Sequence, residues 1–156
     1  MKVENYFLRY AFPCAFIINE MNEVDKETVE MLEKAAIEQK VLDRELLEKI
    51  FFRAFEKIQV LADEMGKDKW DYDVMKTYFR ERHNQDIDNG VGYYKTAPKA
   101  IKELSKVFEA EIVDKRDGFF IVQYNGKTRT VSDLFVSNAK KGDKVTIHYG
   151  FAVEAL

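Results

Sequence analysis

The spacing of apolar residues changes near Ser105, and this change divides the chain into two parts. Before it, apolar positions recur at steps of three and four, which is the period of a helix packed on one face. After it, apolar and polar residues alternate, as they do in a strand with one buried face. The pattern predicts an α+β protein, with an N-terminal helical domain at residues 1–104 and a small β domain at residues 105–156.

Capping residues predict where the main helices begin and end. Asp25 and Asp43 stand in the N-cap position before two segments of helical period, and Gly66 stands where the second segment ends. We expect the segment from Asp43 to Gly66 to form one central helix. Its buried stripe is widened by three aromatic residues, Phe51, Phe52 and Phe55.

Two more helices are predicted before the change of period. One runs from Trp70 to about His83, and a short one follows from Thr96, with Pro98 in its first turn. The residues expected to face inward from the first of these are Trp70, Val74, Met75, Tyr78 and Phe79.

The C-terminal part has the pattern of short strands joined by tight turns. The pairs "DG" at Asp117 and Gly118 and "NG" at Asn125 and Gly126 are hairpin signals on either side of "FFIVQY". Further strands are expected in "KVFEAEIVD", "KTRTV" and "KVTIHYGFAV". Several short strands within about 50 residues predict a small, closed or nearly closed barrel of the OB-like type.

Composition narrows the possible classes of protein. The net charge of −3 argues against a general nucleic-acid binder, whose surface is usually strongly basic. Cys14 is the single cysteine, which excludes an internal disulfide framework and fits a reducing cytoplasm. The apolar stretch from Ala11 to Ile18 is too short to span a bilayer, so we expect a cytoplasmic protein without membrane association.

Two groups of residues are candidates for binding chemistry. The segment "RERHNQDIDNG" brings His83, Asn84 and Asp86 together at a predicted helix exit. This is either a polar site or a set of Asx turns with a histidine at a helix C-terminus. Cys14 is either a small buried hydrophobe or a thiolate ligand for a metal. One cysteine and two histidines far apart in the sequence do not predict a zinc site, so we expect no bound metal.

The last residues of the chain carry a resemblance to a known family. The stretch "GDKVTIHYGFAVEAL" resembles the end of the barrel in the HypC/HupF family of [NiFe]-hydrogenase maturation chaperones. The segment "IVQYNGKTRTVSDLFV" is similar to that family's second and third strands, and the likeness extends from Ser105 to Leu156. The matching residues are Gly126, Arg129, Val131, Gly142, Asp143, His148, Gly150, Phe151 and Ala152.

The resemblance implies a non-enzymatic protein that docks on a partner in [NiFe]-hydrogenase or related metal-cofactor assembly. In that family a cysteine at the start of the barrel holds iron together with a partner of the HypD type. Ser105 stands at the position of that cysteine, and a hydroxyl lacks the soft, ionisable sulfur of the family. We therefore expect no resident iron. We expect instead an exposed docking patch at the barrel's end, made of Ser105, His148, Gly150 and Phe151.

Two other functions remain open from the sequence alone. The barrel could bind single-stranded nucleic acid through stacking aromatic residues beside cationic ones. The residues proposed for that role are Phe119, Phe120, Tyr124, Lys115, Arg116, Lys127 and Arg129. The chain could also be an enzyme that uses His83 or His148, although the sequence pairs neither of them with a nucleophile.

Overall fold

The computed structural model describes the backbone of residues 1–20 and 23–156, and the side chains of residues 1–15 and 23–156. It confirms the predicted α+β class, because a series of helices precedes a small, closed, five-stranded β-barrel of OB-like type. The chain forms two compact units, Met1–Phe79 and Arg80–Leu156. The last helices before the barrel therefore belong to the same unit as the barrel.

In the residues that the structure describes, the first unit contains five helices. They are α1 (Val3–Glu20), α2 (Lys26–Glu38), α3 (Arg44–Ile50), α4 (Phe52–Met65) and α5 (Tyr72–Thr77). The side chain of Asp25 caps α2 by accepting a hydrogen bond from the backbone N–H of Thr28. The side chain of Asp43 caps α3 by accepting a hydrogen bond from the backbone N–H of Leu46. Gly66 ends α4 in the left-handed conformation. The caps predicted from the sequence are thus confirmed.

The core of the first unit is built around Phe7 of α1. Its ring lies within 6 Å, centroid to centroid, of four other aromatic rings, which belong to Phe51, Phe55, Trp70 and Phe79. Aromatic side chains bury large apolar areas and favour such tilted and edge-on contacts. This cluster joins α1 to the segments that follow Asp43.

The expectation of one helix from Asp43 to Gly66 is wrong, because the helix breaks at Phe51. Phe51 leaves the helical region of backbone space, with φ −104° and ψ 39°, and its side chain is buried. Phe52 is 44% exposed, so it does not widen the buried stripe. The rings of Phe51 and Phe55 both pack on Phe7, as residues four positions apart on one helix face can do.

The second unit begins within a π-helical segment, Tyr78–Arg82, and contains three further short helical elements before the strands. These are α6 (His83–Asp88), a 3₁₀ turn (Gly92–Lys95) and α7 (Lys99–Ser105). The helix predicted from Trp70 to about His83 is instead divided into α5, the π-helical segment and α6, and the last of these ends at Asp88. The short helix predicted near Pro98 is present as α7, with Pro98 at its N-cap.

The barrel contains five strands in the order β1-β2-β3-β5-β4, closed by pairing of β4 with β1. Their bounds are β1 (Val107–Arg116), β2 (Phe119–Tyr124), β3 (Lys127–Ser132), β4 (Lys144–His148) and β5 (Phe151–Ala155). All pairs are antiparallel except β3 with β5, which meet at Ser132 and Phe151. The turn between β2 and β3 is the predicted "NG", with positive φ at both Asn125 and Gly126.

The barrel core consists mainly of residues that alternate inward along the strands, as the sequence predicts, and Val136 and Ala139 join it from the segment between β3 and β4. It includes Ala110, Ile112, Phe120, Val122, Tyr124, Val131, Val136, Ala139, Val145, Ile147 and Ala152, with Phe108 packed against them. In the part of the chain that the structure describes, no helix has both the length and the apolar character needed to cross a membrane.

Candidate functional site

His148 is the last residue of β4 and is fully buried. It pairs with Val107 of β1 on one side and with Phe151 of β5 on the other. The prediction that its imidazole projects from an exposed patch is therefore wrong. The rings of His83 and Tyr149 lie against its imidazole, with centroids 5.1 Å and 4.8 Å away.

His83 lies against His148. It is the first residue of α6 and is also buried, and the centroids of the two rings are 5.1 Å apart at an interplanar angle of 84°. One ring nitrogen of each histidine lies within 4.8 Å of one ring nitrogen of the other. The distance between these residues in the sequence argued against a shared site, but the fold brings both histidines of the chain together.

Asn84 fixes the position of α6 on the barrel. Its side-chain nitrogen donates to the carbonyl of Val107 at 2.7 Å, and its side-chain oxygen accepts from the N–H of Val107 at 2.8 Å. Of the predicted polar site, His83 and Asn84 thus face the barrel, while Asp86 is partly exposed and its backbone carbonyl accepts from Val91. The reading of Asn84 as an Asx-turn residue is replaced by this contact.

The other members of the predicted docking patch are mostly occupied within the fold. Ser105 is fully buried at the end of α7, and its hydroxyl donates to the carbonyl of Ile101 at 2.6 Å. The expectation that Ser105 belongs to an exposed patch is therefore wrong. Phe151 is partly exposed, and its ring stacks on Phe135 with centroids 5.5 Å apart.

The left-handed residue in the turn after His148 is not the glycine of that turn. The positive φ belongs to Tyr149, at 51°, and not to Gly150. The ring of Tyr149 lies 4.8 Å from the ring of His148. The sequence offered no sign of this arrangement, because a glycine next to the turn is the natural place to expect the left-handed conformation.

Arg129 contacts the same turn. One end of its guanidinium donates to the carbonyl of Tyr149 at 3.2 Å, and the other donates to the hydroxyl of Tyr124 at 2.7 Å. The second end also makes a longer contact, 3.4 Å, with the carbonyl of Glu103. The sequence marked Arg129 only as part of a matching turn and as a candidate cation for nucleic acid, so its role at the turn was missed.

A pair of imidazoles of this kind can bind a transition-metal ion. Imidazole nitrogen is a good ligand for Zn²⁺, Cu²⁺, Fe²⁺ and Ni²⁺. Two nitrogens bound to one tetrahedral zinc, each at about 2.0–2.1 Å from the metal, are roughly 3.4 Å apart. Given the spacing of His83 and His148, movements of about 1 Å or less in each ring would bring both nitrogens to a single ion.

Cys14, the remaining metal candidate, lies on α1 in the first unit and is partly buried. Burial raises the pKa of its thiol from an ordinary value of 9.0 to about 12, against a smaller opposing effect of the positive charge of Lys57. In metal-free protein the sulfur is therefore a thiol at neutral pH. This agrees with its interpretation as a small buried hydrophobe, and its role as a ligand stays a weaker prediction.

The surface proposed to stack nucleic-acid bases is incomplete. Phe120 and Tyr124 belong to the barrel core, and only Phe119 has a substantially exposed ring, at 37%. Lys115 donates to the carbonyls of Ser137 and Ala139, which occupies its ammonium group. The stacking role expected of Phe120 and Tyr124 is therefore wrong, since alternation along β2 turns both rings inward.

No family description matches the chain, and no curated protein is detectably similar to it in sequence. The resemblance to the HypC/HupF family therefore depends on the residues quoted above, of which His148 is the one that lies in the histidine pair.

Proposed function

We propose that this protein is a non-enzymatic binding protein that holds a transition-metal ion during metal-cofactor assembly and docks on a protein partner. The observation that carries the proposal is the buried, edge-to-face pair formed by His83 and His148. Imidazole nitrogen is a common ligand of transition-metal ions. The two rings are close enough that small movements would bring one nitrogen of each to a single ion.

The small number of ligands favours temporary binding over a permanent structural site. Structural zinc is normally held by four protein ligands, whereas sites that exchange ligands keep open positions. The chain has two histidines, His83 and His148, and both already belong to the pair. Two protein nitrogens leave coordination positions for ligands supplied by a partner or by the cofactor under assembly.

The resemblance to HypC/HupF supports a role in [NiFe]-hydrogenase or related metal-cofactor assembly. His148 belongs to the matching stretch at the end of the barrel, while His83 lies in the preceding helical segment, outside the likeness. Ser105 replaces the family's sulfur ligand and is engaged with Ile101. In this proposal the barrel unit therefore offers the metal nitrogen ligands in place of the family's barrel cysteine.

The metal-binding part of the proposal is tested by competition for Zn²⁺ between metal-free, full-length protein and a chromogenic chelator. Wild type should bind one ion per chain, and His83→Phe and His148→Phe should each lose this binding. Glu81→Gln is the matched control, because it removes an exposed carboxylate two residues before His83. Failure of wild type to bind, or binding at the wild-type level by either histidine variant, would refute the metal site.

The partner-docking part is tested by an affinity pull-down from the native cytosol with wild type and His148→Ala. We expect wild type to recover hydrogenase-maturation or large-subunit proteins, and the variant to lose them. Thermal melting of both proteins controls for the fold. An unchanged set of partners would show that docking does not depend on His148.

A further inference from the structure

The turn that follows His148 holds a bulky residue in an unusual backbone conformation. Tyr149 has a φ of 51°, a value that residues other than glycine, asparagine and aspartate rarely adopt. His148 and Phe151 are paired, so Tyr149 and Gly150 form a two-residue loop between β4 and β5. Such a conformation persists only where the surrounding structure determines it.

Several contacts hold this loop in place. The N–H of Tyr149 donates to the carbonyl of Leu104 at 3.1 Å, and the carbonyl of Gly150 accepts from the N–H of Ser132 at 2.7 Å. The hydroxyl of Tyr149 lies 3.3 Å from that of Tyr94. The loop is thereby tied to the end of α7, to β3 and to the 3₁₀ turn.

Arg129 joins these parts through a single planar group. Its guanidinium bonds the carbonyl of Tyr149, the carbonyl of Glu103 and the hydroxyl of Tyr124, and it lies 4.8 Å from the centroid of the Tyr124 ring. The fixed fork of arginine can serve acceptors in several directions while stacking on an aromatic face. A lysine ammonium on a flexible stem cannot reproduce this geometry.

We propose that Arg129 is a positioning residue for the histidine pair. By fixing the carbonyl of Tyr149, it holds the Tyr149 ring against the imidazole of His148 and so sets the direction of the ring nitrogens toward His83. This inference rests on the proposed metal-binding function. It extends that function from the two ligands to a residue on β3 that acts on His148 through the loop.

Groups that orient metal ligands are worth about 10–100-fold in metal affinity when they are removed. Arg129→Met should therefore weaken Zn²⁺ binding by about 10–100-fold in the chelator competition. Arg129→Lys should not restore wild-type affinity, because it keeps the charge and loses the fork. Lys127→Met is the matched control, since Lys127 is a cation on the same strand whose ammonium contacts the carboxylate of Glu103 at 3.2 Å; it should bind like wild type.

A second readout does not depend on metal binding. In metal-free protein labelled with ¹⁵N in its histidine rings, Arg129→Met should shift the ring signals of His148 more than those of His83, and Lys127→Met should shift neither. If wild type binds no zinc, the proposed function fails, and these shifts still decide whether Arg129 positions His148. Unchanged His148 signals together with wild-type affinity in Arg129→Met would overturn the inference.

A milder variant covers the case in which Arg129→Met does not fold. Tyr124→Phe removes the oxygen that accepts the 2.7 Å hydrogen bond and leaves the ring beneath the guanidinium. We expect it to shift the His148 signals and to weaken Zn²⁺ binding several-fold. The inference is wrong if Tyr124→Phe folds, binds zinc as wild type does and leaves the His148 signals in place.

Discussion

Asn84 uses both ends of its side-chain amide to bond the backbone N–H and carbonyl of Val107. The amide of this helical residue thus bonds the same two backbone groups of Val107, the first residue of β1, that a neighbouring strand would bond. Val107 is also the residue that pairs with His148 across the β1–β4 ladder. Because His83 precedes Asn84 in the chain, this one contact brings the two histidines into alignment.

Replacing Asn84 should therefore cost both stability and the histidine contact. We expect Asn84→Ala to lower the free energy of unfolding by about 1–3 kcal/mol, since it leaves two partly buried backbone groups without their partner. Gln85→Ala, at an exposed position of the same helix, should change it by about 0.5 kcal/mol or less. Urea unfolding monitored by circular dichroism provides the comparison, and equal effects of the two variants would show that the amide contact is not formed.

The barrel should depend on the helical elements that belong to its unit. A fragment of residues 80–156 should unfold cooperatively, whereas a fragment of residues 105–156 should not. The shorter fragment lacks Asn84 and the carbonyls of Glu103 and Leu104, which contact Val107, Arg129 and Tyr149. Thermal melts of both fragments test this expectation, and it fails if the shorter one melts cooperatively at the same temperature as the longer.

The two adjacent phenylalanines of β2 should respond differently to truncation. Phe120→Ala empties a fully buried position in the barrel core and should cost about 3–5 kcal/mol. Phe119→Ala, at an exposed position, should cost about 1 kcal/mol or less. Chemical denaturation measures both effects, and similar losses would mean that the register of β2 is wrong.

The exposed residue of this pair, Phe119, gives a test for nucleic-acid binding, because its replacement is not expected to unfold the barrel. We expect full-length protein to bind a fluorescent single-stranded oligonucleotide weakly, given its net charge of −3. Fluorescence anisotropy should show little difference between wild type and Phe119→Ala. Tight binding with a steep salt dependence that disappears in Phe119→Ala would favour the nucleic-acid function instead.

The thiol of Cys14 should be unreactive and should make stability sensitive to alkaline pH. Its pKa rises from 9.0 to about 12 on folding, so its contribution to stability is fully present below pH 9 and is lost as pH rises toward 12. The unfolding free energy of wild type should therefore fall more steeply over this range than that of Cys14→Ala. Rapid reaction of the native protein with a thiol reagent at pH 8 would contradict the raised pKa.

Local sequence signals were enough to predict the helix caps, the hairpin turns and the barrel. Asp25, Asp43 and the "NG" turn act through neighbouring residues, so their effects can be read directly from the sequence. The break at Phe51 could not be read in this way, because no glycine or proline marks it in the sequence. The ring of Phe51 packs on Phe7, which is far from it in the chain, and the sequence does not show such a contact.

The site was harder to predict than the fold for the same reason. His83 and His148 meet only because α6 docks on the first residue of β1, and Asn84 gave no sign of that role in the sequence. The resemblance drew attention to His148 and Gly150, but it suggested an exposed patch where the fold buries His148. The positive φ of Tyr149 was missed because Gly150 follows it, and glycine is the residue in which a positive φ is usually expected.

The central claim is that His83 and His148 bind one metal ion together, and the composition of the chain makes this directly measurable. The protein contains only two histidines, so ¹⁵N labelling of histidine rings gives signals from these two residues alone. Metal-free, full-length protein is titrated with Zn²⁺ while both rings are followed by NMR. We predict that the ring nitrogens of both histidines shift together and saturate at one ion per chain. It is contradicted if neither ring responds, or if the two rings respond at different zinc concentrations.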